Sequence, residues 1–75
     1  SGIARICLIH KNVPGMLTQI MAVLSDDHIN VENLTNKSKD DYAYTMVDVN
    51  TRLTEDAVEE LRAISNMIRV RVLNH

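Results

Sequence analysis

Residues 29–50, INVENLTNKSKDDYAYTMVDVN, decide how this chain folds. The second half alternates, with Ala43, Thr45, Val47 and Val49 in one phase and Tyr42, Tyr44, Met46 and Asp48 in the other. This period of two marks a half-buried strand. The first half, residues 29–38, reads as another strand, apolar at its start and polar further along. Between them Lys39, Asp40 and Asp41 form a short polar break. The two runs therefore make a β-hairpin, although its turn lacks the favoured Asn-Gly chemistry.

Working outward, a helix and then a strand flank the hairpin on each side. Before it, apolar residues at Met16, Leu17, Ile20, Met21, Val23 and Leu24 follow helical spacing and predict one buried stripe, with Thr18, Gln19 and Ser25 opposite. Pro14 suits the first position of that helix, where its missing N–H costs nothing, and the helix should stop near Asp26 and Asp27. Residues 3–10, carrying Ile3, Ile6, Cys7, Leu8 and Ile9, read as a buried strand. After the hairpin, Thr54 is a good N-cap, and Glu55 and Asp56 suit the positive end of the helix dipole. Leu53 and Val58 occupy hydrophobic-staple positions, and Ala57, Val58, Leu61 and Ile64 supply the buried stripe. A last strand alternates Ile68, Val70 and Val72 against Met67, Arg69, Arg71 and Leu73. The order β-α-β-β-α-β predicts an α+β, ferredoxin-like sandwich, a four-stranded antiparallel sheet with two helices on one face.

Composition narrows the function classes. At 75 residues there is one core, and a domain this small buries only about 60% of its unfolded surface. That favours a partner surface or a larger parent protein. Ser1 and Gly2 receive no role, so the domain is placed at residues 3–74. A net charge of −2 offers no electrostatic footprint for nucleic acid or an anionic membrane. The single cysteine, Cys7, excludes an internal disulfide and fits a reducing cytoplasm. No apolar run nears the roughly 18 residues of a spanning helix. His10, His28 and His75 lack metal-ligand spacing. Tyr42 and Tyr44 share a face, but an RNA-reading sheet needs more aromatics, Gly-rich strand motifs and a basic surface. Nucleophile elbow, phosphate loop, GxGxxG and cysteine pair are all absent. The chain alone is not an enzyme.

The strand-to-helix junction, residues 9–20 (IHKNVPGMLTQI), holds the candidate site. Pro14 disfavours helical backbone at Val13. The N–H groups from about Gly15 through Met16 to Leu17 are then unpaired at the positive end of a helix dipole, a ready carboxylate or phosphate site. Gly15 lets a ligand approach the backbone. Asn12 offers a donor and an acceptor, which suits an α-amino acid. The alternative is that Asn12 and Pro14 only shape the helix start, that Asn30 is a turn residue, and that His10 is a hydrogen-bonded surface histidine.

Read whole, residues 5–73 resemble an ACT domain, the small-molecule-binding regulatory module of amino-acid metabolism. IHKNVPGML, INVENLTNKSKDDYAYTMVDV and the closing IRVRVL resemble the C-terminal ACT domain of D-3-phosphoglycerate dehydrogenases. The resemblance implies a parent enzyme that oxidises 3-phosphoglycerate with NAD. NAD would belong to the parent's catalytic domain, and this domain would need no cofactor. It also implies two ACT domains paired side by side, L-serine or another small amino acid at their interface, and no nucleic-acid or membrane partner. The family's ligand-contacting His, Asn and following backbone fall on His10, Asn12, Val13 and Pro14, and its second Asn falls on Asn30. Two positions depart from the family pattern. Val13 stands where many relatives have Arg, and His28 stands where Gly is frequent before the second strand.

Overall fold

A computed structural model describes residues 3–74. The elements are β1 (Ala4–Lys11), α1 (Met16–Asp26), β2 (Val31–Lys39), β3 (Tyr42–Val49), α2 (Glu55–Arg62) and β4 (Met67–Asn74). The strands form one sheet in the order β2-β3-β1-β4, and each neighbouring pair is antiparallel. β1 and β3 are central, whereas β2 and β4 are edges. The order and class expected from the sequence are those observed.

Alternation along β1 and β3 builds the core. Ala4, Ile6 and Leu8 from β1 and Val47 and Val49 from β3 meet Ile20 and Leu24 of α1 and Leu61 of α2, with Val70 of β4 at the side. Each such large apolar side chain contributes about 1.5–3 kcal/mol by leaving water. Both helices therefore cover one sheet face. The other face is open.

α2 starts as expected. Thr54 has extended backbone and its Oγ1 accepts the N–H of Ala57 at 3.1 Å, while Glu55 and Asp56 occupy the first turn. Leu53 and Val58 are half-buried against the core. Ile64 also packs there, but in the turn beyond the helix end.

Elsewhere the backbone corrects the sequence reading. Pro14 is not the first helical residue: Gly15 is the N-cap of α1, at φ 83°, and Pro14 sits in the turn before it. Leu17 is 37% exposed rather than part of the buried stripe. β2 starts at Val31, so Ile29 and Asn30 belong to the connection. In β4 the register shifts between the partners of Ile9 and His10, which pair with Arg69 and Met67. That leaves Ile68 as a bulge, 52% exposed, while Met67 packs on the core. One extra residue thus reverses the expected phase at the start of the strand. Asp48 lies in the outer phase of β3 yet is buried. Arg5, directly across in register, covers it with bonds of 2.7 and 3.2 Å.

Three non-glycine residues take positive φ: His28 at 58°, Asp40 at 56° and Asn66 at 72°. Asp and Asn tolerate this region through their short polar side chains. Asp40 and Asp41 form the two-residue hairpin turn, since Lys39 pairs with Tyr42. His28 does adopt the left-handed backbone that glycine would take more readily.

Candidate functional site

His10 is the last inward-facing residue of β1, and it is buried, 2% exposed, not a surface histidine. Its Nδ1 lies 2.9 Å from the carbonyl of Lys11 and its Nε2 lies 2.8 Å from Thr45 Oγ1. A carbonyl only accepts, so Nδ1 carries the proton and Nε2 accepts from the threonine hydroxyl. Thr45 Oγ1 in turn accepts from Asn36 Nδ2 at 2.8 Å. The chain Asn36–Thr45–His10–Lys11 thus runs in one direction across β2, β3 and β1. It fixes the imidazole's ring plane and tautomer. No buried side-chain polar atom among the described residues lacks a partner.

Sequence reasoning passed over Thr45 and Asn36. The available signal was a hydroxyl in the buried phase of an otherwise apolar strand. Such a group needs a partner, and the histidine two strand positions from its register mate supplies one.

Beyond β1 the chain is tied to the hairpin. The N–H of Asn12 donates to the Asp41 carbonyl at 2.8 Å, and its side-chain Nδ2 donates to the Asp40 carbonyl at 3.2 Å. Val13 N–H then turns back to the Lys11 carbonyl at 3.0 Å. Val13, Pro14 and Gly15 are exposed, whereas the Met16 side chain is buried and offers only its backbone.

The two helix starts differ. α1 has no side-chain cap and no acidic residue in its first turn. Pro14 and Gly15 form a hydrogen-bonded turn into the helix, and no side chain caps the N–H groups that follow it. At α2, by contrast, Thr54 Oγ1 accepts the N–H of Ala57, and Glu55 and Asp56 place negative charge in the first turn. An uncapped positive helix end, bordered by the Asn12 amide and the exposed Val13 and Leu17, can hold an anionic group beside a small apolar one. Gly15 is required there for its backbone. A Cβ would meet only Gln19 Nε2, at 3.9 Å, but φ 83° is strained for any side chain.

The structure brings together seven of the eight sequence-nominated residues: His10, Asn12, Val13, Pro14, Gly15, Met16 and Leu17. Asn30 lies elsewhere. Its carbonyl accepts from Asn50 at 3.2 Å, at the opposite end of β3 from the Asp41 that receives Asn12. Nine residue steps of about 3.4 Å separate the two levels by roughly 30 Å. Asn30 instead lines a concavity of about 510 Å³ between α1 and the start of β2, with Met21, Ser25 and His28. Among the described residues no group of His, Cys, Asp or Glu is placed to hold a metal ion. No helix there is long and apolar enough to cross a membrane.

Comparison with known proteins bears on this geometry. Residues 6–69 match the family model described as an AHAS small subunit-like ACT domain. D-3-phosphoglycerate dehydrogenase 2 of Saccharomyces cerevisiae is 36% identical over 72 residues, and D-3-phosphoglycerate dehydrogenase of Dictyostelium discoideum is 29% identical over 69. Each match covers 92% of this chain but only 15% and 16% of those enzymes. Among solved structures, the ACT domain from GTP pyrophosphokinase of Chlorobium tepidum superimposes with a TM-score of 0.78 at 22% identity, covering 93% of this chain and 95% of that one. The ligand-free regulatory subunit of aspartate kinase from Thermus thermophilus does so with 0.79 at 17% identity, covering 96% and 50%. At these identities the structures support the fold alone.

Proposed function

This chain belongs to the AHAS small subunit-like ACT domain family, and from that premise we propose that it is the regulatory domain of a D-3-phosphoglycerate dehydrogenase, sensing L-serine between two copies of itself. The observation that carries the reading is the contrast between the two helix starts. α2 has a side-chain cap and two acids in its first turn, whereas α1, next to Asn12 in the chain, has neither to match its dipole. An amino acid brings a carboxylate for the helix end and an ammonium for amide and carbonyl oxygens, so neither charge is buried alone.

A second copy is part of the proposal because one chain holds Asn12 and Asn30 roughly 30 Å apart by strand rise. β2 is an edge strand with Thr35 at its middle. Antiparallel pairing of two β2 strands about Thr35 sets Asn30 of one copy level with Asp40 of the other, the residue that receives the Asn12 amide. A ligand on the seam then contacts both chains and favours the paired state by its differential affinity. In the parent, that preference would act on an NAD-dependent dehydrogenase domain. The lone thiol fits a cytoplasmic setting.

A second reading, a pairing module that binds no ligand, has its own support. Both His10 nitrogens, the Asn12 main-chain N–H and one Asn12 side-chain N–H are already engaged within the fold. Thermal denaturation with each of the twenty amino acids separates the two. At a hundredfold excess over Kd, serine adds about 2.7 kcal/mol, on the order of 10–20 °C in Tm for a domain of this size. Asn12→Ala is expected to remove that shift. No shift with any amino acid at millimolar concentration supports the pairing module, and a shift with another amino acid alone replaces serine as the ligand. Sedimentation of only monomer at high concentration, with serine present, contradicts the shared site.

A further inference from the structure

Of the eight lysines and arginines, six lie on the open sheet face. Arg5, Lys11, Lys37, Lys39, Arg69 and Arg71 share it because residues directly opposed in register point the same way. Among the residues in register on that face the one acid is Asp48, which Arg5 already engages at 2.7 Å. None of the other five cations forms an ion pair among the described residues. Of the other acids, Asp26, Asp27, Glu55, Asp56, Glu59 and Glu60 lie on and beside the helices, Glu32 lies at the register shift of β2, and Asp40 and Asp41 lie in the hairpin turn beyond Lys39. A chain of net charge −2 is therefore basic along the paired strands of one sheet face. Composition predicted no basic surface; the fold makes one by segregating charge.

The centre of this face is apolar. Cys7, Ile9 and Met46 are half-buried, and Leu73 is 41% exposed. A concavity of about 310 Å³ opens there, walled by Tyr44, Arg69, Arg71 and Leu73 over a floor of Cys7 and Ile9. Tyr44 is 38% exposed and lies opposite Ile9 in register. It forms the β3 wall of the concavity. Apolar centre, tyrosine, arginines and cationic rim are the anatomy of a protein interface.

We propose that this face docks an acidic polypeptide segment, which sets one apolar side chain in the concavity and lays carboxylates on Arg69 and Arg71. Guanidinium groups pair with carboxylates in two-pronged fashion, and the remaining lysines steer approach. A nucleic-acid strand fits less well. The central strand β1 presents Cys7 and Ile9 where a base would stack, and both tyrosines sit on β3. This inference is independent of the amino-acid site.

The test is amide NMR on the ¹⁵N-labelled chain with three probes: a ten-residue peptide with a central Leu-Phe flanked by glutamates, its glutamine counterpart, and a twelve-nucleotide oligouridylate. The glutamate peptide is expected to shift the amides of Cys7, Ile9, Tyr44 and Arg71, less so as salt rises. Arg69→Glu with Arg71→Glu is expected to weaken it at least tenfold while the spectrum stays dispersed. Should that pair unfold the domain, Arg71→Gln alone is expected to weaken binding in the same direction. Equal binding of the glutamine peptide, no shift at millimolar glutamate peptide, or tighter binding of oligouridylate at the same amides overturns the proposal.

Discussion

Replacing Thr45 by Val tests the buried hydrogen-bond chain with least disturbance elsewhere. The two side chains have nearly the same shape and both are β-branched, so strand preference changes little. Thr45 is fully buried and His10 is 2% exposed. The substitution removes the hydroxyl that donates to His10 Nε2 and accepts from Asn36 Nδ2, each at 2.8 Å. Asn36 is exposed and recovers water. His10 cannot, so its acceptor nitrogen is left buried without a donor, at about 1–3 kcal/mol. The extra methyl offsets up to about 0.8 kcal/mol of that. A net loss of about 1–2 kcal/mol follows, or roughly 5–15 °C in Tm. Urea unfolding monitored by circular dichroism reads it directly. Adding His10→Leu removes the orphaned nitrogen, so the double variant is expected to lose less than the two single losses together. A Thr45→Val protein within 0.3 kcal/mol of the parent chain, or strictly additive losses, would refute the chain as a stabilising unit.

Three further outcomes are expected. Gly15→Ala places a side chain at φ 83° in otherwise open space, so it should cost about 1–2 kcal/mol by backbone strain alone, and Gly15→Asn should cost less; equal costs in urea unfolding would implicate a contact instead. Thr54→Ala removes the cap on α2 and should cost about 1 kcal/mol, with Thr54→Ser recovering most of it in the same assay. Glu60 is raised above its ordinary value, first by neighbouring Asp27, then by desolvation and the charges of Asp26 and Asp56. Its charged form is therefore disfavoured in the folded state, so Glu60→Gln should raise Tm at neutral pH. The gain should vanish as pH falls below the ordinary glutamate value, where Glu60 is protonated in both states; a gain unchanged at acid pH would show that charge is not its cause.

The fold was legible because its signals were local and repeated. The Tyr42–Val49 alternation, the Thr54 cap and the apolar stripe of α1 each follow from residues close in sequence. What escaped was set by neighbours far along the chain. Burial of Asp48 depends on Arg5, 43 residues away. Exposure of Ile68 depends on one bulged position opposite β1. Pro14 and Gly15 were both visible as turn residues, but which of them begins the helix was decided by the left-handed backbone at Gly15. At the candidate site the residue types could be read, whereas their grouping could not. His10 and Asn12 share one end of the sheet and Asn30 the other, a distinction carried by strand direction. The basic face was hidden for the same reason, since net charge averages over sides that the pleat separates.

The bond from Asn12 Nδ2 to the Asp40 carbonyl also has a mechanical meaning. It fastens the loop before α1 to the tip of the β2–β3 hairpin, where Asp40 takes the left-handed backbone. The Asn12 main chain bonds Asp41 and its side chain bonds Asp40, so loop and tip are splinted at two points.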